Sequence, residues 1–354
     1  MTAATFVYVS NAEDGDIGMY TLKSDGSLEL RARYKAAKLV GPMTVSPDKR
    51  FLVAGIRSKP FPAHTYGIDR ATGALAPVGT GPLADSMTYI FHDRTGRFLL
   101  GASYGANLVT VNPLGADGRA GDPIQKIPTA RNAHCIRTDN TNRFVFVPHL
   151  GTDQVFQFLF DQNNGRLTAN TPPLLQLKAG TGPRHLVTSP DNRYVYVLNE
   201  LIATVSTLAL DGKTGVLTEV ASAAVLPPES KLVPGGPRGP DAPKRDRAND
   251  IWASDLHLTS NGRFLYAAER TSSSLAAFSV DAATGKLSYL GSTPTEKQPR
   301  GFRIDPTGRF VVVSGELSDT LSTYSIDAAS GVLKPIGKYP TGKGSNWVEI
   351  VAFD

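Results

Sequence analysis

The sequence predicts an all-β fold, a seven-bladed β-propeller whose N- and C-terminal strands close one blade together. Three observations predict it. A turn, an arginine and an apolar run recur along the chain at a near-constant interval. A second β-rich run ending in an Asp/Gly turn follows each copy. The chain begins and ends on complementary parts of this unit. Self-similarity at about 40–50 residues is the mark of four-stranded blades, none of which can bury its faces alone.

The first element reads Ser46-Pro47-Asp48-Lys49-Arg50-Phe51-Leu52-Val53 in its fullest form. Its arginines are Arg50, Arg97, Arg143, Arg193, Arg263 and Arg309, spaced by 47, 46, 50, 70 and 46 residues. Phe6-Val7-Tyr8-Val9 stands 45 residues before Phe51 and supplies a seventh copy without the arginine. The second element also occurs seven times, for example as Phe156-Gln157-Phe158-Leu159 before Asn164-Gly165. Glycine at positive φ suits the hairpin between outer strands. The C-terminal Ser345-Asn346-Trp347-Val348-Glu349-Ile350-Val351 reads as a first strand, and the N-terminus reads as a second. Joining them pairs edges that an open array would expose.

The whole chain, 1–354, is thus expected to be one propeller domain. The 70-residue interval holds a Pro/Gly-rich, basic insertion loop at 227–249. It is too rich in Pro and Gly for helix or strand. It reads either as a surface loop or as a lid over one mouth of the central channel.

Composition narrows the class. Hydrophobic residues make up 41%, enough for a large core, and the 34 glycines and 25 prolines favour short strands with tight turns. Cys135 is the only cysteine, so no intrachain disulfide is possible, which fits a reducing compartment. The start, Met1-Thr2-Ala3-Ala4-Thr5, lacks the basic and apolar regions of a signal peptide. No apolar run nears the roughly 20 residues that span a bilayer. A cytoplasmic protein without a membrane partner is expected, as a monomer or homodimer. The net charge of +5 suits attraction of an anionic small molecule. There is no run of five basic residues and no basic-aromatic motif, so nucleic acid is not an expected partner.

Repeat phase becomes location in a propeller, because equivalent positions ring the axis. Nine residues before the repeat arginine stand Gly41, His134, Arg184, Ser254 and Arg300, with Met87 and Asn346 as counterparts in the remaining blades. Seven residues after it stand Arg57, Tyr104, Leu150, Glu200, Arg270 and Glu316. Charged groups are seldom buried unpaired. Two rings this rich in Arg, Glu and His point to one polar site at a channel mouth, or to an ion-pair network holding the blades together. Arg184, Arg270 and Arg300 suit binding of a carboxylate or phosphate, or stabilisation of an ester oxyanion. Glu200 and His134 suit general acid or base work. Cys135 follows His134, and strand alternation turns it into the core. His185 follows Arg184, and on a regular strand it would face the opposite way, behind the site. The rings are too cationic for a metal, and no dinucleotide or phosphate-loop motif is present, so neither metal nor cofactor is expected.

At these residues the chain resembles the propeller lactonase family, typified by bacterial 6-phosphogluconolactonase and including fungal carboxymuconate cyclase. The resemblance spans essentially the whole length. It rests on Gly182-Pro183-Arg184-His185, Val197-Leu198-Asn199-Glu200-Leu201, Ala253-Ser254-Asp255-Leu256-His257, Glu269-Arg270-Thr271 and Gln298-Pro299-Arg300-Gly301-Phe302. It implies a metal-independent site at one channel end, with His134, Arg184, Glu200 and Arg270 as the catalytic group. Arg300, Asp255, Tyr104, Arg57, Glu316 and His185 are the candidate substrate-binding residues. The implied reaction is hydrolysis of a sugar-acid lactone, foremost 6-phospho-D-glucono-1,5-lactone, in the pentose phosphate pathway. The same groups would serve a cycloisomerase or lactonase of a muconate-type dicarboxylate. A non-catalytic scaffold would use the rings structurally. Two departures from the family, the 227–249 loop and Asn346-Trp347, are expected to border the mouth and tune the acyl group accepted.

Overall fold

A computed structural model describes residues 4–239 and 242–353. Its strands form seven four-stranded antiparallel sheets, and no helix occurs among the described residues. In six blades chain order runs from axis to rim. Their innermost strands are Val40–Val45, Tyr89–His92, Arg137–Thr138, Pro183–Thr188, Ala253–Leu258 and Pro299–Ile304. The closing blade takes its innermost strand, Ser345–Phe353, from the C-terminus. Beside it lie Ala4–Asn11, Asp16–Leu22 and Leu28–Lys35. Ala4 stands opposite Phe353 and Ser10 opposite Trp347, so the ring closes through the predicted pairing of the two chain ends.

The recurrent sequence signature is the joint between blades. The aromatic after each repeat arginine packs on a positive-φ glycine in the outer hairpin of the following blade. Phe51 meets Gly118, Phe144 meets Gly215, Tyr194 meets Gly285, Phe264 meets Gly331, and Phe310 returns to Gly26 across the closure. A Cβ at Gly215 would come within 2.2 Å of the Phe144 ring, so the position demands glycine for space as well as for φ. Each repeat arginine lies over its own aromatic neighbour, as Arg143 does at 5.0 Å from the Phe144 centroid. Arg143 also donates to the Gly212 carbonyl of the next blade at 2.6 Å. The buried Tyr8, Tyr196 and Tyr266 hydroxyls donate to the carbonyls of Gly73, Gly285 and Gly331. The buried apolar side chains form clusters that span neighbouring blades, and Cys135 is fully buried in one of them.

The innermost strands depart from regular pairing where the site lies. Their ladders skip Arg184, then Ser254 and Asp255, then Arg300 and Gly301, and also Gly41 and Pro42. Each skip is a bulge, which bends the strand and re-aims its side chains. The fourth blade shortens its innermost strand to two residues, so His134 sits in the irregular run before it. Its backbone amide still donates to the Pro148 carbonyl at 3.0 Å.

Candidate functional site

Six second strands end one residue before the second predicted ring. Phe51–Ile56 delivers Arg57, Phe98–Ser103 Tyr104, Phe144–His149 Leu150, Tyr194–Asn199 Glu200, Phe264–Glu269 Arg270 and Phe310–Gly315 Glu316. Most of these residues are locked by a backbone hydrogen bond to the segment leading into the innermost strand. Glu200 donates to the Gly182 carbonyl at 2.7 Å, Arg270 to Trp252 at 3.1 Å and Glu316 to Gln298 at 3.0 Å. From the first ring, Arg184 and Arg300 at their bulges and His134 in its irregular run join them in one lining.

The result is a cavity of about 730 Å³ at one mouth of the channel. Arg57, Tyr104, His134, Arg184, Glu200, Arg270 and Arg300 all line it. At its centre Glu200 and two arginines form a buried group. Arg270 Nη2 donates to Glu200 Oε2 at 3.0 Å. Arg184 Nε lies 2.7 Å from the same oxygen, but its N–H is not aligned on it, so that contact is ionic rather than a directed hydrogen bond. Arg184 is only 1% exposed and also donates from Nη1 to the Ser254 carbonyl. Arg270 donates to the carbonyls of Trp252 and Ala253, and its guanidinium lies 3.6 Å from the Trp252 ring centroid.

Burial, with repulsion from Arg184 and Arg300, lowers the Arg270 pKa to about 9 despite Glu200, and the group stays cationic at neutral pH. Burial and Arg300 lower Arg57 to about 10. The only directed contact of the Arg57 guanidinium among the described residues is the Ser86 hydroxyl, at 3.2 Å. Burial and the neighbouring Arg184 hold His134 well below the usual histidine value, so its imidazole is neutral at neutral pH. Its Nδ1 is buried without a hydrogen-bond partner, which leaves Nε2 to meet a ligand. The Tyr104 ring stands edge-on to His134 at 5.6 Å. Burial pushes the Tyr104 hydroxyl up to about 12.

Three of the predicted residues stand apart from the lining. Glu316 accepts from Gln298 at 2.7 Å and sits 3.5 Å from Arg300 Nη1. Burial acts to raise its pKa, but Arg300 and Arg270 outweigh this and hold the carboxyl below its ordinary value. His185 and Asp255 lie in a buried layer behind the cavity. The expectation that His185 faces away from Arg184 is wrong in one respect. The bulge breaks alternation, and His185 Nε2 lies 3.1 Å from Arg184 Nη1. His185 Nδ1 lies 2.8 Å from Asp255 Oδ1, and His257 Nε2 lies 3.0 Å from Asp255 Oδ2. With both carboxylate oxygens accepting from imidazoles, His185 Nε2 is the acceptor for the Arg184 N–H. Burial and Arg184 push His185 down to about 3.

Asn346 and Trp347 do not border the cavity. Asn346 accepts from Ser10, while Trp347 packs edge-on to Tyr89 and near His185 and donates to Glu349. The insertion, by contrast, contributes Pro237, Arg238, Gly239, Ala242 and Pro243 to the cavity wall. Sequence reasoning missed Arg238, Trp252 and Arg131. The first and last lie off the repeat phase. Trp252 does immediately precede the Ala253-Ser254-Asp255 segment, which was the available signal. Among the described residues no cluster of three or more His, Cys, Asp or Glu is arranged to hold a metal.

The family model described as lactonase, 7-bladed β-propeller, matches residues 4–350. A 6-phosphogluconolactonase of Serratia proteamaculans is 39% identical over 346 residues, 98% of each chain. One of Pectobacterium carotovorum is 37% identical, covering 98% of this chain and 99% of the relative. The solved structure of Pseudomonas aeruginosa periplasmic gluconolactonase superposes with a TM-score of 0.86 at 26% identity, over 99% of both chains. With seven closed blades and a buried Arg–Glu–Arg group at one mouth, this chain belongs to the seven-bladed β-propeller lactonase family.

Proposed function

We propose that this chain is a lactonase that hydrolyses a sugar-acid lactone, with 6-phospho-D-glucono-1,5-lactone as its substrate. The observation that carries the reading is the Glu200 carboxylate held between Arg184 and Arg270, beside a neutral His134, in an arginine-lined cavity. The named relatives at 34–39% identity support the same substrate.

In this reading Arg184 and Arg270 face the lactone carbonyl and stabilise the negative charge that grows on its oxygen. Glu200 keeps the two guanidiniums in place without an approach to the carbonyl being needed. Neutral His134, as its Nδ1–H tautomer, accepts a proton from water at Nε2 while the water oxygen bonds to the carbonyl carbon. The tetrahedral adduct collapses, the ring C–O bond breaks, and the imidazolium returns the proton to the departing ring oxygen. The product is the open-chain hydroxy acid. Arg57 and Arg300, with Glu316 setting the position of Arg300, hold the anionic substrate. His185 and Asp255 orient Arg184 from behind rather than touching substrate.

A cytoplasmic location accords with a phosphorylated sugar substrate and a role in the pentose phosphate pathway. No helix of the described residues is long and apolar enough to cross a membrane. The test is hydrolysis of freshly generated 6-phosphogluconolactone, measured above its spontaneous opening, with wild type and Arg184→Ala side by side. Turnover lost in the variant supports the reading, and equal rates for enzyme and blank overturn it.

A further inference from the structure

The described residues of the 227–249 insertion, 227–239 and 242–249, are tied to the blade and to one another. Val233 N donates to the Asn249 carbonyl at 2.9 Å, Ile251 N to Val233 at 2.8 Å and Gly235 N to Leu201 at 2.8 Å. A Cβ at Gly235 would lie 2.3 Å from the Ile251 carbonyl oxygen, so glycine lets the loop approach the blade this closely. Beneath it the buried Asp250 carboxylate accepts a two-pronged contact from Arg245, both bonds 2.7 Å, with Arg247 3.5 Å away. Arg247 also donates to the Gly236 carbonyl at 3.1 Å. Arg247 donates to the Pro237 carbonyl as well, so this clamp holds the two residues just before Arg238.

The Arg238 guanidinium lies 3.8 Å from the centroid of the Trp252 ring, and that of Arg270 lies 3.6 Å from the same centroid. Two such groups would overlap on one face, so Trp252 is sandwiched between them. Arg270 faces Glu200 on the inner side. Arg238 stands on the outer side, half-buried in the cavity wall. Stacking fixes a guanidinium plane and leaves its N–H edge free to donate to an anion. The lining carries six arginines and Glu200 as its one carboxylate among the described residues, a charge balance that calls for a ligand with more than one negative group or a doubly charged one.

We infer that Arg238 is a specificity-determining residue: stacked on Trp252, it receives the phosphate monoester of the substrate at the mouth, while the lactone ring reaches Arg184 and Arg270. The inference rests on the reading of this cavity as a lactone site, and deepens it by separating a reaction end from a phosphate end. The phosphate end thus includes a residue of the inserted loop, which lies outside the repeat framework. Arg238 touches the remote group and takes no part in bond making.

The test compares wild type, Arg238→Met and Arg238→Lys. Methionine keeps an apolar stem against Trp252 and removes the charge, whereas lysine keeps the charge without the planar fork. The readouts are kcat/KM for phosphorylated and unphosphorylated gluconolactone, and calorimetric binding of 6-phosphogluconate and gluconate. A charged hydrogen-bonded contact is worth about tenfold or more in affinity. The ratio of the two kcat/KM values is expected to fall by about tenfold in Arg238→Met, through KM, and to recover in part in Arg238→Lys. An unchanged ratio, or equal loss on both lactones, overturns the inference, since equal loss means that Arg238 acts only through Trp252 and Arg270. Should wild type turn over neither lactone, the hydrolytic reading falls and binding alone decides. Preference for 6-phosphogluconate lost in Arg238→Met then sustains the phosphate site, and absence of that preference in wild type overturns it.

Discussion

Arg270 donates from Nη2 to Oε2 of Glu200 across 3.0 Å, and both side chains are at most 4% exposed. Arg184 approaches the same oxygen, so one carboxylate neutralises part of the charge of two buried guanidiniums. Removing one member of such a group leaves a buried charge without its partner, a loss of about 3–5 kcal/mol.

Glu200→Gln is therefore expected to fold, with a lowered unfolding midpoint, because the amide keeps the shape but not the charge. Turnover is expected to fall by about a hundredfold or more as the two arginines lose their common anchor. Circular dichroism, urea titration and initial rates check this together. Unchanged turnover in a folded variant would refute the role given to Glu200.

Asp255→Asn addresses the layer behind the cavity. An amide can accept from only one of the two imidazoles, so the His185 tautomer and its contact with Arg184 are disturbed. The expected result is a fall in kcat of about tenfold with KM nearly unchanged. Direct substrate binding by Asp255 would instead raise KM.

Acid is expected to destabilise the fold before the carboxylates titrate. Burial lowers His92 and His149 to about 4 and His185 to about 3. A histidine whose folded pKa is depressed contributes stability that is complete above its unfolded value near 6.5. That stability is lost as pH falls through the window from about 6.5 to 4. Each of His92 and His149 is expected to cost about 2 kcal/mol between pH 7 and 5. Urea midpoints across that range, with a shallower slope in His149→Asn, provide the check. Because His134 is also held low, the acid limb of kcat/KM is expected well below the ordinary histidine value near 6.5, and a limb centred at 6.5 would argue against His134 as the base.

Asp250→Ala is expected to release Arg245 and Arg247 and with them the inserted loop. Cleavage by trypsin at Arg238, Arg245 or Arg247 should quicken severalfold while the blades stay intact. KM for the phosphorylated lactone should rise. Cleavage rates equal to wild type would show that the backbone bonds at Val233 and Gly235 suffice to hold the loop.

The sequence by itself determined the blade number, the closure by both chain ends and seven of the residues that meet at the mouth. It did so because these properties are periodic. The aromatic that must pack on the next blade's glycine, as Phe144 does on Gly215, recurs at every joint, and phase from that joint sets distance along the axis. Only the tertiary structure decided what lies off the period. The bulge at Arg184 turns His185 back toward its neighbour, because alternation fails where one strand carries an unpaired residue. The shortening of the innermost strand to Arg137–Thr138 and the retreat of Trp347 behind the cavity depend on partners distant in sequence. Arg238 lies in a segment with no repeat to give it a phase. Its place over Trp252 follows from the contacts of Arg245, Arg247 and Asp250, which hold the loop against a blade whose surface exists only once the ring has formed.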